Sequence, residues 1–527
     1  MKKNGISKRW LSLLVVCTLC LTLFAGVSAA QAEDPTYTYR MAMFNNGPWH
    51  EPTPALDFYK ALFPDITFEL VYVEKANAQE KMSLLVSSGD VPDVMQMIDR
   101  DIMYAQGVLG SWTEEFFREH APNLSKIIDE TDPNAWNYAK YDGENMYSIP
   151  GWNVNRTFPE ISVWNQGWLD AVGEEMPTTL ADAERVFYKF TAEDPDGNGV
   201  NDTYGLSEKG FKPIYGAFGT MRGMWLEDEE GNLVYGDVNP KAKDALAVLS
   251  KWYADGIIDP EFITGEHEGG YWALSQPLNK NKIGYTNAGW WYHWTPILTE
   301  LETDLGGRND QEFRALNPEG KLAYGVPLVG PNGDAGHRYD GQSLVFRTHF
   351  SKKLCADTER FARLLHFIDY VNGSDVAGDM MPVIVNTYGE EGVEWQFRET
   401  EYGKVIQSLV TEQDEMSFRG FTGTFHFMEE GGSLAYQSAK NGASESVVWI
   451  NGILADYPAC YMDMLYKTLE SAGEYKADLD KLLDEGYISI ITGEKPLDYF
   501  DEMVSLWYGN GGQEMYEEAN AWHQQFK

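Results

Sequence analysis

Between residues 37 and 94 the hydrophobic period switches four times, and few folds accept a chain that does this. Tyr37, Tyr39, Met41 and Met43 fall on one face of a strand, and the polar loop Asn45-Asn46-Gly47-Pro48 follows. Leu56, Tyr59, Leu62 and Phe63 then recur at helical spacing, and residues 66–73 return to a strand rich in β-branched and aromatic side chains. Met82, Leu84 and Leu85 mark a second helix, and Val91-Pro92-Asp93-Val94 leads into a third strand. A β-α-β-α-β order predicts a parallel sheet with helices on both faces. Ligands of such sheets bind beyond the carboxyl ends of the strands. Residues 45–50 and 99–103 are therefore candidate ligand loops, with an ordinary solvated turn as the competing reading at each position.

A second helical unit opens at Pro177-Thr178-Thr179. Thr179 and Asp182 fit a capping box, and Leu180, Ala183, Val186, Phe187 and Phe190 form one apolar stripe, a core face rather than a cofactor box. Residues 143–151 and 154–163, between the two units, suit a crossover from one lobe to another. No internal repeat, low-complexity tract or long linker interrupts the chain. Interleaved domains, with several crossings between them, are expected.

Residues 1–32 read as a signal peptide. Lys2, Lys3, Lys8 and Arg9 precede an apolar stretch over 11–27, and Ala30-Gln31-Ala32 offers the small residues a signal peptidase accepts. An uncleaved anchor is the alternative, since about 17 apolar residues is the lower limit for a spanning helix. Cys17 and Cys20 leave with this segment, and Leu19 before Cys20 argues against a lipobox. Of the four cysteines only Cys355 and Cys460 remain. Export permits a bridge between them, two buried thiols fit equally well, and no cysteine zinc site survives.

Charge excludes one class of partner. The chain holds 81 Asp+Glu against 41 Lys+Arg, net −40, and losing four N-terminal positive charges from −40 leaves −44. A field of that sign repels nucleic acid and anionic membrane, and no run of Lys and Arg forms a local exception.

The strongest local motif is a cation loop. Asp194, Asp196, Asn198 and Asp202 occupy positions 1, 3, 5 and 9 of a calcium loop, Val200 offers its carbonyl at position 7, and Gly199 turns the chain at position 6. Alternate spacing lets the oxygens converge on one hard cation, whose charge would relieve the repulsion of three neighbouring carboxylates. Position 12 is Gly205 instead of the usual bidentate Glu, so water or a remote ligand must complete the shell. A structural Ca²⁺ is expected, against the simpler reading of an acidic turn.

Rings supply a second candidate site. Asn287-Ala-Gly289-Trp290-Trp291-Tyr292-His293-Trp294 sets four aromatic residues at the end of a short strand. Flat rings beside a flexible backbone offer apolar faces to the C–H faces of sugars, while nearby Asn, Asp and Arg bond hydroxyls. Trp49, Trp112, Trp152 and Trp449 lie at other turn-like positions, although most of the 17 tryptophans are expected to be packing residues. No H-E-x-x-H, G-x-S-x-G, P-loop or G-x-G-x-x-G motif is present, and Glu266-His267-Glu268 has no partner at ligand spacing.

Eight segments in order resemble the family 1 extracellular solute-binding proteins of ABC transporters, in the branch of the lipoprotein LplA and the alginate-binding proteins. They are 87–94 (SSGDVPDV), 141–150 (YDGENMYSIP), 164–177 (WNQGWLDAVGEEMP), the loop DPDGNGVNDTYGL, 282–290 (KIGYTNAGW), 386–395 (NTYGEEGVEW), 490–496 (IITGEKP) and 498–520. The resemblance implies an α/β, two-lobed periplasmic-binding-protein-like (type II) fold, two doubly wound lobes joined by a multi-strand hinge. It divides the chain into an N-terminal lobe of 33–153 plus about 322–390 and a C-terminal lobe of 154–321 plus about 391–527, the latter carrying the cation loop. It also implies cation ligands at Asp194, Asp196, Asn198, Val200 and Asp202, and sugar stacking at Trp290. Thr203 departs from the acidic residue of alginate-binding relatives, and the missing lipobox departs from Gram-positive members, which are normally lipid-anchored.

The reading is thus a non-enzymatic, exported or cell-surface monomer that binds a carbohydrate between its lobes and delivers it to ABC permease subunits. Its high negative charge argues for a neutral oligosaccharide. Trp290 and Trp291 are the stacking candidates, with Trp49, Trp152, Asp99 and Arg156 at the rim or in hydrogen-bonding roles. The alternatives are a secreted glycosidase or polysaccharide lyase, whose paired carboxylates sequence spacing cannot reveal, and a peptide receptor.

Overall fold

The computed structural model describes residues 35–45, 51–74, 77–96, 98–140, 143–152, 160–263, 276–289, 308–338, 344–400, 403–410, 418–421, 424–428, 453 and 460–527. Two mixed sheets organise it, one in each lobe.

The first sheet has the strand order Ile66–Glu74, Tyr37–Asn45, Val94–Gln96, Leu344–Phe350, Ile149–Trp152. Tyr37–Asn45 and Ile66–Glu74 run parallel in unbroken register from Tyr37↔Ile66 to Asn45↔Glu74, and Met41 pairs with Val94, also parallel. Helices Thr53–Leu62 and Ala78–Ser87 make the two crossovers the hydrophobic pattern predicts. The pleat sends alternate residues to opposite cores. Tyr39 and Met41 pack with Tyr59, Trp112 and Phe350 on one face, whereas Ala42 packs with Met82, Met95 and Met103 on the other.

The second sheet has the order Leu322–Gly325, Glu160–Asn165, Ile283–Gly289, Tyr204–Leu206. Trp164 centres its core, stacked 5.5 Å from Phe187 and tilted against Tyr285 at 4.4 Å. Helix Leu180–Ala192 covers it and buries the predicted stripe of Leu180, Ala183, Val186, Phe187 and Phe190. The Thr179 hydroxyl accepts from the Asp182 amide at 3.1 Å, the first half of the expected cap.

Each sheet has one strand running against its neighbours, Leu344–Phe350 in the first and Glu160–Asn165 in the second. Both follow a passage of the chain from the other lobe, so they enter their sheets from the opposite end. Every residue of Glu160–Asn165 is buried, as a central strand covered on both faces requires.

The sheet pairings move two of the expected boundaries. Leu322–Gly325 bonds to Glu160–Asn165 in the second sheet, not to the first lobe. The hairpin of Trp395–Thr400 and Gly403–Ser408 packs Trp395 and Ile406 against Val383, Ile384 and Tyr388, beside helix Thr358–Gly373 of the first lobe. Phe425 lies 4.9 Å from Tyr59 and 5.4 Å from Phe367, so the first lobe extends past residue 391. Of the final helices, Ala472–Ile491, Tyr499–Trp507 and Gln513–His523, the first packs on helix Lys241–Ala254. No helix among the described residues is long and apolar enough to cross a membrane.

Candidate functional site

The carboxyl ends of the second sheet converge on a buried polar cluster. Gly289, the last residue of its strand, pairs with Glu160, the first residue of the antiparallel strand. Glu160 is 4% exposed. It accepts from Asn287 Nδ2 at 2.7 Å and from Lys212 Nζ, which answers its charge. Behind it Ser162 Oγ lies 3.0 Å from Tyr285 Oη and 3.3 Å from His337 Nε2. Burial lowers the His337 pKa to about 3, so the imidazole is neutral and serves as a fixed dipole in the wall. Sequence reasoning selected Gly289-Trp290 but not Glu160 or Lys212. A Glu and a Lys 52 positions apart carry no local signal.

The predicted ligand residues divide. Trp49, Arg156, Trp290 and Trp291 lie outside the described residues. Trp152 ends strand Ile149–Trp152, pairs with Leu344, and is 5% exposed within the main core. Asp99 has both carboxylate oxygens engaged: Oδ1 accepts from the Ile102 amide at 2.9 Å, capping helix Arg100–Ala105, and Oδ2 accepts from Thr468 Oγ1 at 2.9 Å.

Thr468 belongs to the segment leading into the final helices, so Asp99 ties the first lobe to the second. Its neighbours reinforce the tie. The Arg100 guanidinium donates to the carbonyls of Tyr138 at 2.7 Å and Tyr466 at 3.0 Å while lying 4.1 Å from the centre of the Phe346 ring. Asp101 accepts from the Thr468 amide at 2.5 Å. The Tyr138 ring also stacks 5.6 Å from Trp522 of the last helix. Asp99 to Asp101 thus form a clasp on the Tyr466–Thr468 segment.

The cation loop lies at the exit of helix Leu180–Ala192. Asp194 adopts a left-handed φ of 48°, which turns its carboxylate inward, where Oδ2 accepts from the Gly199 amide at 3.0 Å. Asn198 Oδ1 accepts from the Val200 amide at 2.6 Å, and its amide nitrogen donates to Asp196 Oδ2 at 2.8 Å and Asp202 Oδ1 at 3.1 Å. Burial, then the proximity of Asp194 and Asp202, raises the Asp196 pKa above the usual carboxylate range. Asp194 Oδ1 is buried without a partner, an acceptor of the kind a cation would satisfy. No group of three acidic, histidine or cysteine side chains is drawn together at metal-holding distance among the described residues. The Asn198 amide bridges the carboxylates in this arrangement. Asp194, Asp196 and Asp202, with Asn198 and the Val200 carbonyl, would hold the ion.

The remaining loop positions point away from it. Thr203 is buried and its hydroxyl donates to the Phe190 carbonyl at 2.7 Å. Gly205 sits in strand Tyr204–Leu206 with its amide donating to the Ile257 carbonyl at 2.9 Å. No disulfide joins Cys355 and Cys460, and burial pushes the Cys355 pKa up to about 12.

No model of a known protein family matches the chain. It is 22% identical to lipoprotein LipO of Bacillus subtilis over the full length of both chains. It is 23% identical to the polygalacturonan/rhamnogalacturonan-binding protein YtcQ of the same species, over 86% of this chain and 85% of that one. Among solved structures, the Streptococcus pneumoniae ABC-transporter substrate-binding protein FusA in complex with kestose superposes with a TM-score of 0.60 and 18% identity, covering 93% of this chain and 99% of that one. By full-length sequence similarity the chain is a homologue of LipO, and it shares the two-lobed type II fold of the ABC-transporter substrate-binding protein FusA.

Proposed function

We propose that this chain is the extracellular receptor of an ABC importer, that it binds an oligosaccharide between its two lobes, and that it does not alter its ligand. The observation that carries this is similarity over 86% of the chain to YtcQ, named as a polygalacturonan/rhamnogalacturonan-binding protein, together with the fold shared with FusA, solved with kestose. Strand Ile283–Gly289 supports this reading, because its last residue pairs with Glu160 at the carboxyl end of the strand, where sheets of this kind bind ligands. Trp290 and Trp291 stack on the sugar, Trp49 and Arg156 contact it from the loops, and Trp152 and Asp99 hold the first lobe and the hinge around it. Closure of the lobes buries the guest, and the permease reads the closed form that the guest favours. The N-terminal 32 residues export the chain and are removed.

Calcium at Asp194, Asp196, Asn198, Val200 and Asp202 is structural in this reading. FusA has been solved as an EF-hand mutant, which supports a cation loop in this group of proteins. The ion would neutralise the three carboxylates and fix the exit of helix Leu180–Ala192.

Isothermal titration of the mature chain with oligosaccharides tests the assignment. Trp290→Ala is expected to weaken binding by about tenfold to a hundredfold, the loss of one or two stacking contacts, with its melting temperature unchanged. Chromatography of the recovered ligand should show no cleavage. Hydrolysis products would support the glycosidase alternative, and binding of peptides without sugars would remove the carbohydrate reading.

A further inference from the structure

The second lobe contains a partly open cavity of about 340 Å³, within the range of small-molecule sites, lined by residues of 208–237, Arg338 and helix Ala472–Ile491. The rings of Phe211, Tyr215 and Tyr235 line it together with charged side chains of both signs. Its carboxylates are engaged. Asp237 accepts from Arg222 Nε at 2.7 Å and from the Gly223 amide, Asp484 accepts from Arg222 Nη2 at 2.8 Å, and Asp480 pairs with Lys476 at 2.5 Å.

Arg338 is different. Among the described residues its side chain makes no hydrogen bond or ion pair, and its Nε is buried without an acceptor. The Arg338 charge reaches Asp463, but Asp463 Oδ1 is taken by the amides of Trp225 at 3.2 Å and Leu465 at 3.1 Å. The unspent group facing the cavity is therefore a planar cation. A guanidinium fork is best matched by a carboxylate, which accepts two parallel N–H bonds. The three rings beside it suit the C–H faces of a pyranose.

We propose that this cavity binds the carboxylate of an acidic sugar unit, with Arg338 as the residue that recognises it. The proposal rests on the reading of the chain as a carbohydrate receptor and specifies the class of sugar. The net charge of −40 favours a neutral guest at long range. Inside a cavity the field is set by groups within about 8 Å, and the unpaired one here is positive.

The test titrates trigalacturonate, galactotriose and acetate separately into the mature chain, Arg338→Gln and Arg338→Lys, with melting curves for all three proteins. Trigalacturonate is expected to bind the parent protein, to bind R338Q at least tenfold more weakly, and to bind R338K with intermediate affinity because the charge survives without the fork. Galactotriose affinity should not change between them. Equal binding of trigalacturonate to the parent and R338Q would overturn the proposal, as would acetate matching the trimer at equal carboxylate concentration. If R338Q does not fold, R338K decides: undiminished trigalacturonate affinity overturns the proposal. Binding of galactotriose without trigalacturonate would sink the acidic-sugar site and leave the receptor assignment standing, whereas binding of neither sugar would remove both.

Discussion

Gly205 lies so close to Phe187 that a Cβ on the glycine would sit 2.7 Å from the Cβ of that residue. This explains why position 12 of the cation loop lacks its usual carboxylate. The chain has already joined the second sheet by then, and helix Leu180–Ala192 packs directly on it. Gly205→Glu, which restores the common loop sequence, should therefore destabilise the protein by about 3 kcal/mol or more through overpacking and should not tighten calcium binding. Chemical denaturation and a calcium titration of the variant check this. A tighter calcium constant at unchanged stability would show that the strand can yield.

Calcium itself should be visible as linked stability. At free calcium a hundred times its dissociation constant the native state gains about 2.7 kcal/mol, because the unfolded chain lacks the converged oxygens. A chelator should lower the melting temperature of the parent protein and have no effect on Asp196→Asn, with the variant's chelated melting point close to that of the parent. Superimposable melting curves for the parent with and without chelator would remove calcium from the account.

Two buried histidines should make acid stability measurably asymmetric. His337 and His349 are fully buried, and burial lowers their pKa values to about 3 and about 4, against about 6.5 in an unfolded chain. A base with a depressed folded pKa stays neutral in the fold, while the unfolded chain takes up the proton as pH falls below 6.5, so stability is lost on acidification. Asp369 and Asp463, both raised to about 6 by burial, act in the opposite direction, their stabilisation being present at low pH and lost as pH rises through 6. The difference between the parent and His337→Gln isolates one group. The parent should lose about 1.4 kcal/mol relative to the variant for each pH unit between 6.5 and 4. Paired denaturation curves across that interval provide the measurement, and a constant difference would mean that His337 is protonated in the fold.

The buried carboxylate at the end of the second sheet gives a fourth expectation. Lys212→Met leaves Glu160, 4% exposed, with the Asn287 amide at 2.7 Å as its one remaining side-chain donor among the described residues. The loss should be about 1–3 kcal/mol. Adding Glu160→Gln should recover most of it, since the buried group is then neutral. A double-mutant cycle by urea denaturation reads the coupling, and additive losses would show that the two side chains do not interact.

Local pattern determined a good deal of this protein. The alternation of residues 37–43, the helical spacing through Tyr59 and the strand over 66–73 fixed the parallel opening of the first sheet, because periods of 2 and 3.6 are imposed by backbone geometry within a few residues. The stripe from Leu180 to Phe190, with Thr179 as its cap, was legible for the same reason, as were the oxygens spaced along the cation loop. Only the tertiary structure decided that Leu322–Gly325 joins the second sheet, that the hairpin beginning at Trp395 packs on the first lobe, that Asp99 clasps Thr468, and that Arg338 faces a cavity walled by Tyr235 and Asp480. Each of these joins residues tens to hundreds of positions apart, and such pairings are settled by which surfaces meet when the chain closes on itself, a quantity that no short window of sequence contains.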